Sequence, residues 1–446
     1  MDKVECVVVG AGPAGSACAL TLARKGIETV LLERGSQPGE KNVASFVLFT
    51  PVLEHLIPSY REEAPLERLV SDHSYLHLRE QDFLQLRMRF QGHRERCLAY
   101  TAFRSKFDAW FAAKAREAGA VLLPNVLVTD LLLDDGRVVG VRVGDEELLA
   151  DVVVGADGLH TVVGRKASLV SDDIRTYLLG VKEVLDLPPE VIEERFQLGE
   201  GEGTVFEAFG YPVHDVPGAS TLYTNQDSVS LAVFAWLDVI KTRGIDLHER
   251  LQALKEHPYI KSLIDGASLR EYQAHMLANG GRVDLGKLYA PGVLLCGEAG
   301  GFMDYLYVGV PPGMLSGIAA ANTVDFARRK GDYSAKTLGE YLSFLEGTAL
   351  PRMLYNSRRA SDYLVERGKR NLPGYLQEMT RILEKSLQDE VTYLNPVPYA
   401  PAKEFYFHIA ENWIPAALRR PMRAAIKVLS PLASAMRKRR FRKGMR

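Results

Sequence analysis

Residues 3–35, KVECVVVGAGPAGSACALTLARKGIETVLLERG, carry the clearest indication of the fold. Residues 4–9 form a short apolar run that predicts a buried strand, and a Gly-rich turn follows it. Residues 13–24 predict a helix that stops at Gly26, a residue suited to the position just past a helix C-terminus. Residues 28–32 predict a second strand. Strand, turn, helix and strand in this order predict the βαβ unit of a Rossmann-like fold.

The turn carries three glycines with the spacing G-x-G-x-x-G, which are Gly10, Gly12 and Gly15. The first permits a tight turn, the second lets backbone approach a pyrophosphate, and the third lets the helix pack on the strand. Pro13 and Ala14 open the helix, whose N-terminus offers free N–H groups and partial positive charge to phosphates. The motif predicts a dinucleotide site, and the alternative is a Gly-rich turn that holds no ligand.

Glu33 ends the second predicted strand, eighteen residues beyond Gly15. A carboxylate at this position can accept both hydroxyls of an adenosine ribose and disfavours a 2′-phosphate. The acid therefore favours FAD or NAD over NADP. Arg34, which follows it, is a further candidate for binding the cofactor.

Composition limits the class of protein. The chain has 446 residues, of which 47% are hydrophobic and 25% charged, as is typical of soluble globular proteins. A net charge of −1 argues against a nucleic-acid binder. The four cysteines, Cys6, Cys18, Cys97 and Cys296, show no C-x-x-C spacing, which argues against a zinc or iron–sulfur site. Few cysteines, no signal-peptide pattern and no apolar run near the roughly 20 residues of a membrane span predict a cytoplasmic protein.

Two later segments return to the predicted sheet. Residues 150–165, ADVVVGADGLHTVVGR, predict a buried strand that ends in a turn of Gly155, Ala156, Asp157 and Gly158. Residues 293–296 predict another strand, which ends in Gly297-Glu298, and a helix follows from about residue 313. Between them, residues 175–278 read as an α+β insert, so the nucleotide domain is discontinuous. Residues 125–143 predict a hairpin with a turn at Asp135-Gly136.

This pattern resembles the FAD-dependent family that includes aromatic hydroxylases, geranylgeranyl reductases and electron-transfer flavoprotein:quinone oxidoreductases. GVKEVLDLPPEVIEERFQL, TLYTNQDSVSLAVF and EYQAHMLANGGRVDLGKLYAPGVLLCGEAGGFMD resemble its FixC-like branch. The resemblance implies an α/β fold with a Rossmann-like FAD-binding domain at residues 1–175 and 279–340. It also implies an inserted α+β substrate domain at residues 176–278 and a helical C-terminal region at residues 341–446.

The resemblance also implies roles for particular residues. Arg104, in RSKFDAW, would lie near the flavin phosphates, and Glu298 would meet the ribityl–pyrophosphate region; taken alone, Glu298 reads equally as a helix-cap acid. Ser45 and Phe46 stand where the FixC-like branch usually has two glycines against the flavin, so Phe46 would occupy space by the ring, unless it is a core aromatic. The other implied cofactor residues are Lys41, Asn42, Val128, Ala156, Asp157, Gly158, Gly297, Gly309, Pro312, Gly313 and Met314.

Phe46, Tyr305 and Tyr307 are the candidates for the reaction site, the two tyrosines because GGFMDYLYVG runs past the flavin in the family. His275 is a further candidate to line the pocket. The resemblance implies transfer of electrons from an electron-transfer flavoprotein to a quinone. Because this chain lacks the four C-terminal cysteines of its longer relatives, a separate ferredoxin-like subunit would supply any iron–sulfur cluster. The alternatives are reduction of isoprenoid C=C bonds, a flavin monooxygenase, and a flavoprotein-like binding subunit with little turnover.

The C-terminal segment is strongly basic. Residues 419–446 contain eleven Lys or Arg and no Asp or Glu. Such a segment predicts a peripheral anchor on an anionic membrane, which suits a lipid-soluble acceptor and the inner face of the cell membrane. The alternatives are a solvated tail and a docking strip for an acidic partner.

Overall fold

A computed structural model gives the fold and describes residues 3–42, 45–90, 98–170, 177–278, 288–304 and 308–357. These residues belong to the first of two compact units, Met1–Leu394. Tyr305, Tyr307 and the basic C-terminal segment, for which we predicted roles, lie outside the described residues. So does most of the predicted helical C-terminal region.

The strands, in chain order, are β1 (Lys3–Val9), β2 (Thr29–Leu32), β3 (Ser45–Phe49), β4 (Leu66–Leu78), β5 (Phe83–Arg89), β6 (Ala99–Phe103), β7 (Val121–Leu123), β8 (Val128–Asp134), β9 (Arg137–Val143), β10 (Glu146–Gly155), β11 (Tyr177–Asp186), β12 (Glu202–Gly210), β13 (Gly218–Thr224), β14 (Ser228–Trp236), β15 (Ser268–Ala278), β16 (Tyr289–Ala290) and β17 (Val293–Leu295).

The helices are α1 (Pro13–Arg24), α2 (Pro51–Leu56), α3 (Tyr60–Glu63), α4 (Arg104–Glu117), α5 (Val162–Lys166), α6 (Pro189–Phe196), α7 (Leu237–Arg243), α8 (Leu247–Glu256), α9 (Pro258–Ile264), α10 (Val310–Lys330), α11 (Ala335–Leu338) and α12 (Tyr341–Glu346). Residues 350–357 are also helical. Within the described ranges, none of these helices is long and apolar enough to cross a membrane.

The first sheet has the order β16-β17-β10-β1-β2-β7, with the β8–β9 hairpin attached to β10. Strands β17, β10, β1, β2 and β7 run parallel. Their apolar runs are buried, as expected of parallel strands covered on both faces. Helix α10 crosses α1 closely at Gly317, where a Cβ atom would lie 2.2 Å from the Ala14 carbonyl oxygen. The predicted Rossmann-like sheet is therefore confirmed.

The local predictions around this sheet hold closely. Helix α1 has the predicted bounds. Asp135 and Gly136 have φ values of 45° and 76°, the positive values that a type I′ hairpin turn requires. The later helix was predicted to begin near residue 313, but α10 begins at Val310. Prolines at 311 and 312 fit the first turn of a helix because that turn does not need their N–H groups.

The second sheet has the order β15-β11-β14-β13-β12-β4-β6-β3, and β5 pairs with β4. Its neighbours are antiparallel except for β4 and β12, which run parallel. Strands β3 to β6, from residues 45–103, lie in this sheet, although we assigned that segment to the nucleotide domain. The domain boundaries themselves stay a prediction.

The two faces of the second sheet differ in what covers them. Val181 and Leu185 of β11 pack in an apolar core with Leu251 of α8 and with residues of α6, α7 and α9. Gly180 and Lys182, which alternate with these positions along β11, line a cavity on the opposite face. Because side chains alternate between the two faces of a strand, one face of this sheet packs in the core and the other lines the cavity.

Candidate functional site

The cavity lies against the carboxyl ends of the parallel strands, where ligands bind in open α/β sheets. Its volume is about 350 Å³, and the cavity-facing side of the second sheet forms its other wall. The lining includes Phe46 and most of the predicted cofactor residues: Gly10, Gly12, Pro13, Ala14, Glu33, Arg34, Lys41, Asn42, Ser45, Arg104, Val128, Ala156, Asp157, Gly158, Gly297, Glu298, Gly309 and Gly313. Gly15, Pro312 and Met314 are buried and are not part of the lining.

The three glycines of the turn differ in the space beside them. A Cβ atom on Gly10 would lie 2.5 Å from the Ala156 carbonyl oxygen, and one on Gly15 would lie 1.9 Å from the Gly10 carbonyl oxygen. Both positions therefore require glycine for packing. A Cβ atom on Gly12 would meet only the Arg104 guanidinium, at 3.9 Å. The space beside Gly12 is open to the cavity, as the fingerprint predicts for backbone that approaches a pyrophosphate.

The N-terminus of α1 lies at this open space. Gly12 is its N-cap residue, no side chain caps the helix, and its first turn contains no acidic residue. Uncapped N–H groups and the helix dipole favour an anion at this point. The chain's own groups thus fit the phosphates of a dinucleotide.

Glu33 is held rigidly beside the turn. Its carboxylate accepts hydrogen bonds from the backbone N–H groups of Ala11, at 3.1 Å, and Gly35, at 2.8 Å. The residue is only 9% exposed. A carboxylate fixed in this way retains acceptor capacity for the hydroxyls of a ribose.

Arg104 begins α4 and pairs with Asp108 one turn later, with 2.7 Å between Nη2 and Oδ2. Asn42 Nδ2 also donates to that carboxylate, at 3.2 Å. Burial raises the pKa of Asp108, although Arg104 opposes the shift. Gly39 (φ 87°) brings the preceding loop close, because a Cβ there would lie 2.3 Å from the Arg104 carbonyl oxygen. The pair therefore fixes the guanidinium near Gly12.

Glu298 lies in a 3-10 turn after β17, Gly297–Gly300. Its carboxylate accepts from the Ala278 N–H at 3.4 Å, and burial raises its pKa. Helix α10 begins twelve residues later with Gly309 as an N-cap that no side chain caps, so Glu298 is not a cap of that helix. The first turn of α10 contains no acidic residue and faces the cavity through Gly309, Val310 and Gly313.

Asp157 lines the cavity, but both its carboxylate oxygens bind the start of α5. Oδ1 accepts from the Thr161 hydroxyl at 2.6 Å, and Oδ2 accepts from the N–H groups of Val162 at 2.7 Å and Val163 at 3.1 Å. Burial raises its pKa. This residue holds the shape of the turn that carries Ala156 and Gly158.

Phe46 lies on β3 at the cavity wall and is only partly buried. Its ring meets the Phe107 ring edge-on, with 5.5 Å between centroids, and the Arg104 guanidinium lies 5.6 Å from its centroid. Phe46 therefore borders the cavity and also packs on a core aromatic. His275 of β15 lines the same cavity.

Sequence reasoning missed several polar residues on the second sheet. Lys182, Glu207, Tyr223 and His73 all line the cavity. His73 Nε2 lies 3.7 Å from the Glu207 carboxylate. The available signal was a lysine within the apolar run LLGVKEVLDL, flanked at alternate positions by core residues.

Comparison with known proteins gives the family. Residues 5–163 match the family described as FAD dependent oxidoreductase. The chain is 36% identical over 367 residues to "Probable electron transfer flavoprotein-quinone oxidoreductase YdiS" of Escherichia coli K12, which covers 80% of this chain and 85% of that protein. It is 37% identical over 364 residues to "Protein FixC" of Bradyrhizobium diazoefficiens, with 77% of this chain and 81% of that protein covered.

Solved structures share the fold. A geranylgeranyl bacteriochlorophyll reductase-like protein from Thermoplasma acidophilum superposes with a TM-score of 0.70 at 19% identity, covering 94% of this chain and 98% of that one. The flavin-dependent brominase Bmp2 superposes with a TM-score of 0.63 at 18% identity, covering 92% and 99%. The fold, the open space beside Gly12 and the matches at over 30% identity all indicate the same family. The chain belongs to the family of FAD-dependent oxidoreductases that includes FixC and YdiS, and FAD is its cofactor.

Proposed function

We propose that this oxidoreductase takes electrons from an electron transfer flavoprotein and passes them to a quinone. The observation that carries the proposal is a cavity that extends from the nucleotide crevice to an apolar wall, which we define as Val47, Phe49, Val205, Tyr223 and Val308. An apolar wall with few polar groups suits a planar, lipid-soluble acceptor. The name of the YdiS relative states the same activity for that protein.

The chain's residues bind and orient the cofactor in this proposal. Gly12 and the α1 N-terminus hold the phosphates with Arg104, and Glu33 holds the ribose. Bound FAD would supply the redox chemistry, and the protein would position it. The uncapped N-terminus of α10 favours negative charge in the part of the cavity that it faces.

A separate ferredoxin-like subunit belongs to the proposal if electrons pass through an iron–sulfur cluster. Cys6, Cys18 and Cys296 are all buried, and burial raises the pKa of each thiol. In the part of the chain that the structure describes, no group of three or more His, Cys, Asp or Glu side chains is placed to hold a metal. In this proposal these three buried thiols are not cluster ligands, and the separate subunit carries the cluster.

The basic segment at residues 419–446 supports binding to an anionic membrane, where each Lys or Arg near the surface contributes about 1 kcal/mol. Vesicles of phosphatidylglycerol should retain the full-length protein at low salt and release it at high salt. Changing the basic block at residues 437–440 to glutamate should abolish the retention. Equal retention on neutral phosphatidylcholine vesicles would contradict an electrostatic anchor.

The test of the main proposal uses the purified protein with FAD bound. Its FAD is reduced without oxygen and then mixed with a short-chain ubiquinone, a geranylgeranyl lipid, or oxygen. The proposal expects rapid return of the oxidised flavin spectrum with the quinone. It also expects a reduced electron transfer flavoprotein to reduce the bound FAD. Saturation of the prenyl lipid instead would identify an isoprenoid reductase, and no reaction with any acceptor would indicate a binding subunit.

A further inference from the structure

A buried lysine stands on the cavity face of the second sheet. Lys182 is 9% exposed, and its Nζ donates hydrogen bonds to the Ser45 carbonyl oxygen, at 2.6 Å, and to the Tyr223 hydroxyl. It forms no ion pair with any residue of the described ranges. Its two partners are a backbone carbonyl and a phenol hydroxyl, and neither is a carboxylate.

Such a cation is costly to bury unless another group stabilises it. An ammonium group has three N–H donors, and two are used within the protein. The third is left for the cavity that Lys182 lines. The arrangement therefore offers a charged hydrogen-bond donor to a ligand.

Tyr223 sets the position of the ammonium group. Its hydroxyl accepts from Nζ and also donates to the Ser45 carbonyl oxygen. Its ring packs in the apolar cluster with Phe49 and Val205. The lysine head group thus lies where the polar tip of Tyr223 meets the apolar wall.

The surroundings select among ligands that accept hydrogen bonds. Glu207 lines the same cavity. It lies in one row across the sheet with Lys182, because Lys182 pairs with Ala232, Ala232 pairs with Thr221, and Thr221 pairs with Glu207. A carboxylate on this face disfavours a phosphate or carboxylate ligand. Gly180 leaves room for the Phe234 ring, because a Cβ at Gly180 would lie 2.5 Å from that ring. A neutral, planar molecule with a carbonyl oxygen fits this combination of one cation and aromatic surface.

We propose that Lys182 binds a carbonyl oxygen of the quinone acceptor, whose ring lies on the apolar wall, and that Tyr223 is a positioning residue for Lys182. The inference rests on the proposed function. Bound FAD in its reduced form would supply two electrons and release its own protons to solvent. The quinone gains the two electrons, and two protons from solvent convert its two carbonyl oxygens to hydroxyls. Lys182 keeps its own proton and offsets the negative charge that grows on the oxygen.

The test measures binding of decylubiquinone to the oxidised protein with FAD bound, followed by the change in the visible flavin spectrum. We expect K182M to raise the dissociation constant by about tenfold or more, because it removes a charged hydrogen bond. K182R should raise it less. K255M is the matched control, because Lys255 pairs with Glu183 on the covered side of the same strand, at 2.7 Å. That variant should leave the dissociation constant unchanged.

Flavin content and melting temperature show whether each variant folds, and K182Q replaces K182M if the latter loses FAD. An equal dissociation constant for wild type and the charge-removing variant overturns the inference, as does a wild-type protein that binds no quinone. Binding without electron transfer from reduced protein overturns the proposed function and leaves the Lys182 site standing. If the variant passes electrons to the quinone as fast as wild type does, the proposed function stands and the Lys182 site is overturned.

Discussion

The backbone N–H of Ala11 donates a hydrogen bond to the Glu33 carboxylate at 3.1 Å, across the ends of two neighbouring strands. Glu33 therefore does two things at once. It fixes the shape of the Gly-rich turn, and it presents acceptor oxygens at the place where a ribose would lie. The Gly-rich turn, where we expect the phosphates, and Glu33, where we expect the ribose, are therefore joined by a hydrogen bond.

Substituting Glu33 tests this connection. In E33Q the amide NH₂ would face one of the two backbone N–H donors, so one hydrogen bond is lost. We expect FAD to bind about tenfold more weakly or worse, since an unsatisfied buried donor costs about 1–3 kcal/mol. Flavin fluorescence during FAD titration measures the change. E28Q, at an exposed glutamate on the approach to β2, should bind FAD like wild type.

The open space beside Gly12 gives a second prediction. Gly12 has φ −73°, which alanine adopts easily, so G12A should change the free energy of unfolding of FAD-free protein by less than about 1 kcal/mol. Its methyl group would occupy the open space in which we expect the phosphates, so purified G12A should carry little flavin. Absorbance at visible wavelengths and urea unfolding measure the two effects.

G15A is the contrasting variant for this prediction. Its methyl group would lie against the Gly10 carbonyl oxygen, so the protein should lose about 1–3 kcal/mol or more of stability even without FAD. A stable G15A, or a G12A that retains full flavin, would contradict the roles assigned to these glycines.

His275 predicts a pH dependence of stability. Burial and, to a smaller extent, electrostatic interaction with Arg104, His160, Lys182 and Arg34 lower its pKa from 6.5 to about 4. Between these values the unfolded chain binds a proton that the folded protein does not, so stability falls as pH falls from about 6.5 to about 4. Above pH 6.5 this residue makes no contribution to the slope.

The H275Q variant isolates that contribution. It should remove up to about 3 kcal/mol of the loss that wild type shows between pH 7 and pH 4. Urea unfolding of FAD-free protein at a series of pH values measures both curves. Parallel curves for wild type and H275Q would show that His275 titrates normally in the folded protein.

Phe46 predicts a change in acceptor preference. F46A removes a ring from the cavity wall, so a bulky naphthoquinone should gain about tenfold in rate relative to a benzoquinone. F107A is the matched variant, because Phe107 is the partner of the same ring pair but is fully buried and does not line the cavity. It should lose about 3–5 kcal/mol of stability and keep the wild-type preference. The same preference in F46A would place the acceptor elsewhere.

Local patterns predicted the nucleotide-binding half well. The strand, turn and helix around Gly12 and the hairpin turn at Asp135 depend on residues close in sequence. They can therefore be predicted without knowing which distant segments pack against them. The alternatives for Phe46 could not be separated in the same way. Whether an aromatic ring lies in the core or on a cavity depends on Phe107 and Arg104, which are far away in the sequence.

The second sheet shows where sequence reasoning fails. The parallel pairing of β4 with β12 joins segments more than one hundred residues apart, and no local pattern signals it. Lys182 was missed for a related reason. Its strand is buried on both faces, so the lysine could not be assigned to the cavity until the neighbouring strands were in place.

The pairing of β4 with β12 also bears on how the chain can be divided. A fragment of residues 177–278 alone would keep the pairing of β12 with β13 but leave the β4-facing edge of β12 unpaired, and exposed strand edges promote aggregation. An experiment that exchanges acceptor specificity between relatives by grafting this fragment would therefore have to graft residues 45–103 together with it. The slow closure of such a long-range pair also makes this sheet the expected late step of folding during synthesis.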